Sequence, residues 1–305
     1  MKPILGLAAA GVLLIGAARA AVATPPAAGQ HFDCSDAGTT SCASDDTGCV
    51  SNTKNHAKCS SAVTKAFGKA VVAVMKCHCR QATARLAGAT AVSAGTDEDE
   101  NCEDGATGKT AKEKLEAAIA KVGATGVCDP SQFGFASAEE TLLFDPTQMF
   151  SLDAQNGYTF CDASSAEFLA DKLCHDGSNA GNPCNGDGDC PGGGTCIRED
   201  TGFVPSSKAF LTCECKAGKE LGKLIVATAR CHDGMNSAFL AGDDFDEEAC
   251  EQQAHDRYSK ARDKTLAKGI CPACLDQAGW ETLASNTLTQ VDGANGLAYP
   301  CTLGP

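Results

Sequence analysis

The chain has 305 residues, 20 of them cysteine, and a formal net charge of −14 at pH 7. That acidic balance argues against nucleic acid and anionic membrane surfaces as partners. With 5% aromatic residues and one tryptophan, conventional cores are expected to be thin, so covalent bracing is expected to compensate.

In chain order, residues 1–20 read as a secretory signal peptide. Lys2 supplies the positive start, Ile4 to Ala17 are apolar or small, and Ala18-Arg19-Ala20 is an A-x-A cleavage signal, with Ala21-Val22-Ala23 as a second. The run is too short and Ala-rich for a membrane span, and no other long apolar stretch follows. The mature chain is therefore expected to be exported, periplasmic or extracellular, with no membrane insertion after cleavage. Without Lys2 and Arg19 it carries 23 basic and 39 acidic residues, a net charge of −16. In an oxidising compartment its even cysteine count is most simply ten disulfides. Residues 21–33, rich in Ala, Pro and Gly at their start, read as a flexible leader.

The remainder contains one cysteine-marked segment twice, assigned to units at 34–161 and 162–305. With Cys59 set against Cys213, Lys65 meets Lys219, Gly68 meets Gly222 and Cys77-His78 meets Cys231-His232. Leu86-Ala87-Gly88 then meets Leu240-Ala241-Gly242, and Cys102-Glu103 meets Cys250-Glu251. Asn156-Gly157 and Cys161 match Asn295-Gly296 and Cys301. A repeat of this length implies two copies of one folding unit. Each unit carries a Gly/Asp/Ser-rich loop with close cysteines: Cys34, Cys42 and Cys49 in the first, Cys184, Cys190 and Cys196 in the second.

Two helical patterns follow in each unit. Cys59, Val63, Phe67, Ala70, Val74 and Cys77 recur at three- and four-residue steps, as do Cys213, Ala217, Leu221, Leu224, Thr228 and Cys231. Gly88 and Gly242 are plausible stops. Partner helices are expected over about 103–122, marked by Ala111, Leu115, Ala118 and Val122, and 251–268, marked by Ala254, Tyr258, Ala261 and Thr265. Cys59 to Cys77 spans about 27 Å of helix, and an antiparallel partner of similar length brings Cys77 beside Cys102 and Cys59 beside Cys128. The second unit repeats this with Cys231–Cys250 and with Cys213 bonded to Cys274 or to Cys271. The expected fold is mainly α: two tandem disulfide-stapled antiparallel helical hairpins with irregular Cys/Gly-rich loops.

The loop from Cys174-His175-Asp176-Gly177 through Cys196, with the Lys-rich helices carrying cysteines about 18 apart, resembles uncharacterised cysteine-rich secreted bacterial proteins. The resemblance covers most of the mature chain, and no function comes with it.

No catalytic motif emerges: there is no G-x-S-x-G, no H-E-x-x-H and no Gly-rich phosphate loop. Cys271-Pro272-Ala273-Cys274 has redox spacing but follows a helix instead of opening one, so it reads as structural. Cys215 and Cys231-His232 are a widely spaced variant of a haem-attachment pattern, with Ser61 breaking it in the first unit. His78 and His232, each beside a repeated cysteine, are the best hint of a site, weighed against the preferred reading of capping or surface histidines. Acidic runs at 97–100 and 243–248 lack calcium-loop spacing and suit charge at a helix start. Asn185, Asp187 and Asp189 do alternate, but Cys190 and Cys196 stand where a calcium loop needs its glycine and its bidentate Glu. No cofactor or metal is assigned. The expected function is a secreted, non-enzymatic structural or interaction protein whose partner is an unknown protein or envelope component. The alternative is a periplasmic redox or haem-carrying protein using the Cys-His dipeptides.

Overall fold

The structure is a computed structural model describing residues 48–88, 102–103, 109–129, 152–167, 172–175, 177–179, 182–197 and 201–301, together with Gln132 and Leu143. The expected signal peptide and leader, Cys34, Cys42 and the acidic run at 97–100 lie outside the described residues. Six helices dominate: α1 (Lys54–Leu86), α2 (Ala111–Gly123), α3 (Leu152–Thr159), α4 (Lys208–Ala241), α5 (Glu247–Leu266) and α6 (Gln277–Ala298). None of the described helices is long and apolar enough to cross a membrane. Three short strands, β1 (Lys172–His175), β2 (Pro183–Cys184) and β3 (Thr195–Ile197), form an antiparallel sheet with β1 in the middle.

The two long helices begin in the same way. Thr53 accepts from the His56 amide at the start of α1, and Ser207 accepts from the Phe210 amide at the start of α4. α4 ends on Gly242 in the left-handed region, where a glycine adds no steric cost. The sequence places the start of α2 near residue 103, but the helix begins at Ala111, fixed by a capping box between Thr110 and Glu113. α5 begins earlier than expected, because Asp246 caps it by accepting from the Ala249 amide.

All twelve residues of the two periodic stripes are buried. α1 and α4 form the most extensive helix pair. They run antiparallel, as Gly68 sits against Val226 and Cys79 is bonded to Cys215. α2 packs on α1, and α5 and α6 pack on α4. On α2 the core residue is Ile119, while the expected Ala118 is exposed. Leu115 and Ile119, four residues apart, form the stripe that meets α1. Trp280 is fully buried, with Tyr258 at 5.5 Å between ring centroids and its hydroxyl donating to the Trp280 carbonyl. The core is therefore better furnished with aromatics than the composition implies.

Nine disulfides join all eighteen cysteines among the described residues. Cys77 is bonded to Cys102 and Cys59 to Cys128 across α1 and its partner; Cys231 is bonded to Cys250 across α4 and α5. Of the two partners left open for Cys213, the bond is made to Cys271, so the first-named Cys274 is corrected. The chain turns at Gly269 just past α5 and delivers Cys271 to α4, whereas Cys274 lies in the following 3-10 turn and bonds Cys161. Cys174–Cys190 and Cys184–Cys196 hold the β-sheet loop. Cys49–Cys301, Cys79–Cys215 and Cys161–Cys274 connect the two halves of the chain.

Two glycines 154 residues apart, Gly48 and Gly202, sit at similarly tight places. Gly48 (φ 102°) lies against Gly296 and the Tyr299 carbonyl, and Gly202 (φ 109°) lies against Gly157 and the Phe160 carbonyl. A Cβ on Gly202 would stand 2.7 Å from that carbonyl oxygen. Gly202→Ala is therefore expected to cost on the order of 2 kcal/mol in urea unfolding, from strain and clash together. Gly88→Ala, with a similar φ but open space around it, should cost less. Equal losses in the two variants would refute the clash.

Candidate functional site

His78 and His232 are not surface or capping residues. They are 2% and 1% exposed, each one residue beyond a disulfide on its long helix. Because the partner cysteine is also followed by a glutamate, each disulfide sets a histidine opposite a carboxylate. His78 Nε2 lies 3.1 Å from Glu103 Oε2. His232 Nε2 lies 3.1 Å from Glu251 Oε1 and also 3.1 Å from Glu247 Oε1. Glu103 and Glu247 are buried, and Glu251 keeps 21% of its side-chain surface. The three ligand atoms of His232, Glu247 and Glu251 all lie within 4.8 Å of one another.

The glutamates were the residues that histidine-centred reading missed. The matched dipeptides Cys102-Glu103 and Cys250-Glu251 carried the signal, since they align as well as the Cys-His pairs do. Glu247 sits in an acidic run that reads as helix-start charge, and its neighbours Asp246 and Glu248 do occupy the start of α5. Glu247 itself turns inward to His232.

The other candidates hold no site. Cys271 and Cys274 are bonded to different partners, so they cannot act as a dithiol pair. Cys215 is bonded to Cys79 and Cys231 to Cys250, leaving neither sulfur for haem attachment. Cys174, Cys184 and Cys190 cluster with metal-like spacing, but all three sulfurs are in disulfides. In the same loop Asp187 accepts from the Cys196 amide and Asp189 from the Asn185 amide, so these carboxylates brace the backbone.

One further acid stands out. Glu214 on α4 is completely buried, and burial pushes its carboxyl up to about 8, with the Asp162 carboxylate adding to the rise. The amides of Asp162 and Cys161 offset part of it. Burial acts upward on Asp162 too, but hydroxyl and amide donors from Ser164 and Ser206 outweigh it and hold Asp162 below its ordinary value. At neutral pH the pair is thus one neutral acid beside one carboxylate. The chain matches no known family, no curated protein and no solved structure.

Proposed function

We propose that this chain is an exported, non-enzymatic structural or interaction protein of the cell envelope or extracellular space, built from two copies of one disulfide-stapled helical hairpin. The observation that carries the reading is the complete use of described cysteines in nine disulfides, three of which tie one half to the other. Crosslinking of this density needs an oxidising compartment, which fits a secretory signal over residues 1–20. Duplication is supported by pairs of equivalent details at a constant spacing of 154: the caps Thr53 and Ser207, the tight glycines Gly48 and Gly202, and the buried His78 and His232. The amides of Cys49 and Phe203, also equivalent, donate to the Tyr299 and Phe160 carbonyls at 2.8 Å each.

The redox or haem-carrier alternative has less support, since it needs thiols that are instead crosslinked. Intact mass of the protein recovered from its exporting host discriminates the readings. The expected result is cleavage after Ala20 and a loss of about 20 Da relative to the reduced chain, one hydrogen atom per cysteine. Non-reducing peptide mapping should link Cys213 to Cys271 and Cys161 to Cys274. A gain of several hundred daltons, or a set of free thiols in the exported protein, would overturn the proposal.

A further inference from the structure

We infer that His232, Glu247 and Glu251 form a binding site for a first-row divalent cation, with Zn²⁺ the best match. All three ligand atoms converge: one imidazole nitrogen stands 3.1 Å from an oxygen of each glutamate. One N–H cannot aim well at both oxygens, whereas a cation among the three meets each along its own lone pair. Bonds of 2.0–2.1 Å in tetrahedral coordination put neighbouring ligands about 3.3 Å apart, so the two 3.1 Å histidine–glutamate distances need adjustments of only a few tenths of an ångström, while the two carboxylate oxygens lie within 4.8 Å of each other.

Charge points the same way. Glu247 and Glu251 are four residues apart on α5, a spacing at which like charges repel, and both turn toward the same nitrogen. A protonated imidazole supplies one positive charge to this cluster of two carboxylates, and a divalent cation supplies two. The donor set separates the candidates: an imidazole with two carboxylates suits zinc, which takes three protein ligands and leaves a position for water. Calcium requires six to eight oxygens.

Position is fixed by covalent structure. The Cys231–Cys250 bond holds His232 and Glu251 opposite each other, with 5.7 Å between the cysteine Cα atoms. The same arrangement recurs at Cys77–Cys102, where His78 faces Glu103. In the aligned sequence Asp99 stands opposite Glu247, but it lies outside the described residues, so the inference is confined to the second half.

The test is calorimetric titration of the disulfide-intact, EDTA-treated protein with Zn²⁺. The expected result is saturable binding, of which one equivalent is lost or weakened at least about tenfold in Glu251→Gln and retained in Glu103→Gln. Glu251 is the partly exposed ligand and its amide is isosteric, so this variant should fold. Co²⁺ loading of the unaltered protein is an independent readout, expected to give d–d absorption bands of a low-coordinate N/O shell. Absence of saturable Zn²⁺ uptake, or uptake unchanged in both Glu251→Gln and Glu247→Gln, would overturn the site and leave a buried ion pair. Binding of Ca²⁺ in preference to Zn²⁺ would overturn the metal assignment.

Discussion

Glu214→Gln should raise the melting temperature by several degrees at pH 8.5 and leave it nearly unchanged at pH 4. Glu214 is fully buried in α4, where burial first and the Asp162 carboxylate second push its carboxyl up to about 8. In the unfolded chain the same group ionises near 4.5. Between those values the native state holds a proton that the unfolded state has released, so stability falls as pH rises. The full contribution is present below pH 4.5 and is lost once pH passes about 8. The difference amounts to a few kcal/mol in order of magnitude, enough to move a melting point by several degrees. Asp162 does not mask it. Its lowered value gives stability that is present above 3.8 and lost only as pH falls further. Melting curves from pH 4 to 9 for both proteins provide the check, and parallel profiles would refute a buried neutral Glu214.

Reduction at neutral pH should abolish cooperative thermal unfolding. The three bonds joining the halves have sequence separations of 252, 136 and 113 residues. In the chain-entropy description a single closure of that size contributes about 5 kcal/mol, although nested loops make the contributions less than additive. Typical net stabilities are only about 5–15 kcal/mol. The aromatic cluster around Trp280 and the stripes of α1 and α4 will keep some helix in the reduced chain, so calorimetry is the better probe than circular dichroism. An unchanged transition with every thiol titratable would show that packing suffices alone.

Periodicity made the long helices legible because α1 and α4 bury one stripe each, and residues at three- and four-step spacing are the ones that must be apolar. Disulfides across α1 and α4 were readable because they close local pairs. Those between the halves were not, since nothing in the spacing of Cys49 and Cys301 records that two distant ends meet. α2 was misplaced for a different reason: Thr110 and Glu113 form a capping box, a stronger local signal than the cysteine eight residues earlier. The His–Glu contacts were half visible. Matching dipeptides showed Glu103 and Glu251, while Glu247 was hidden in a run of like residues where only burial distinguishes it.

The crossed bonds between the halves also decide what a protease can achieve. A cut anywhere from residue 130 to 151 divides the chain into two pieces, yet Cys49–Cys301 and Cys79–Cys215 still span the break. Neither piece can diffuse away, and the antiparallel contact of α1 with α4 keeps its partner at hand. In a chain crosslinked this way, such a break becomes a nick in a closed loop, not the loss of half a molecule.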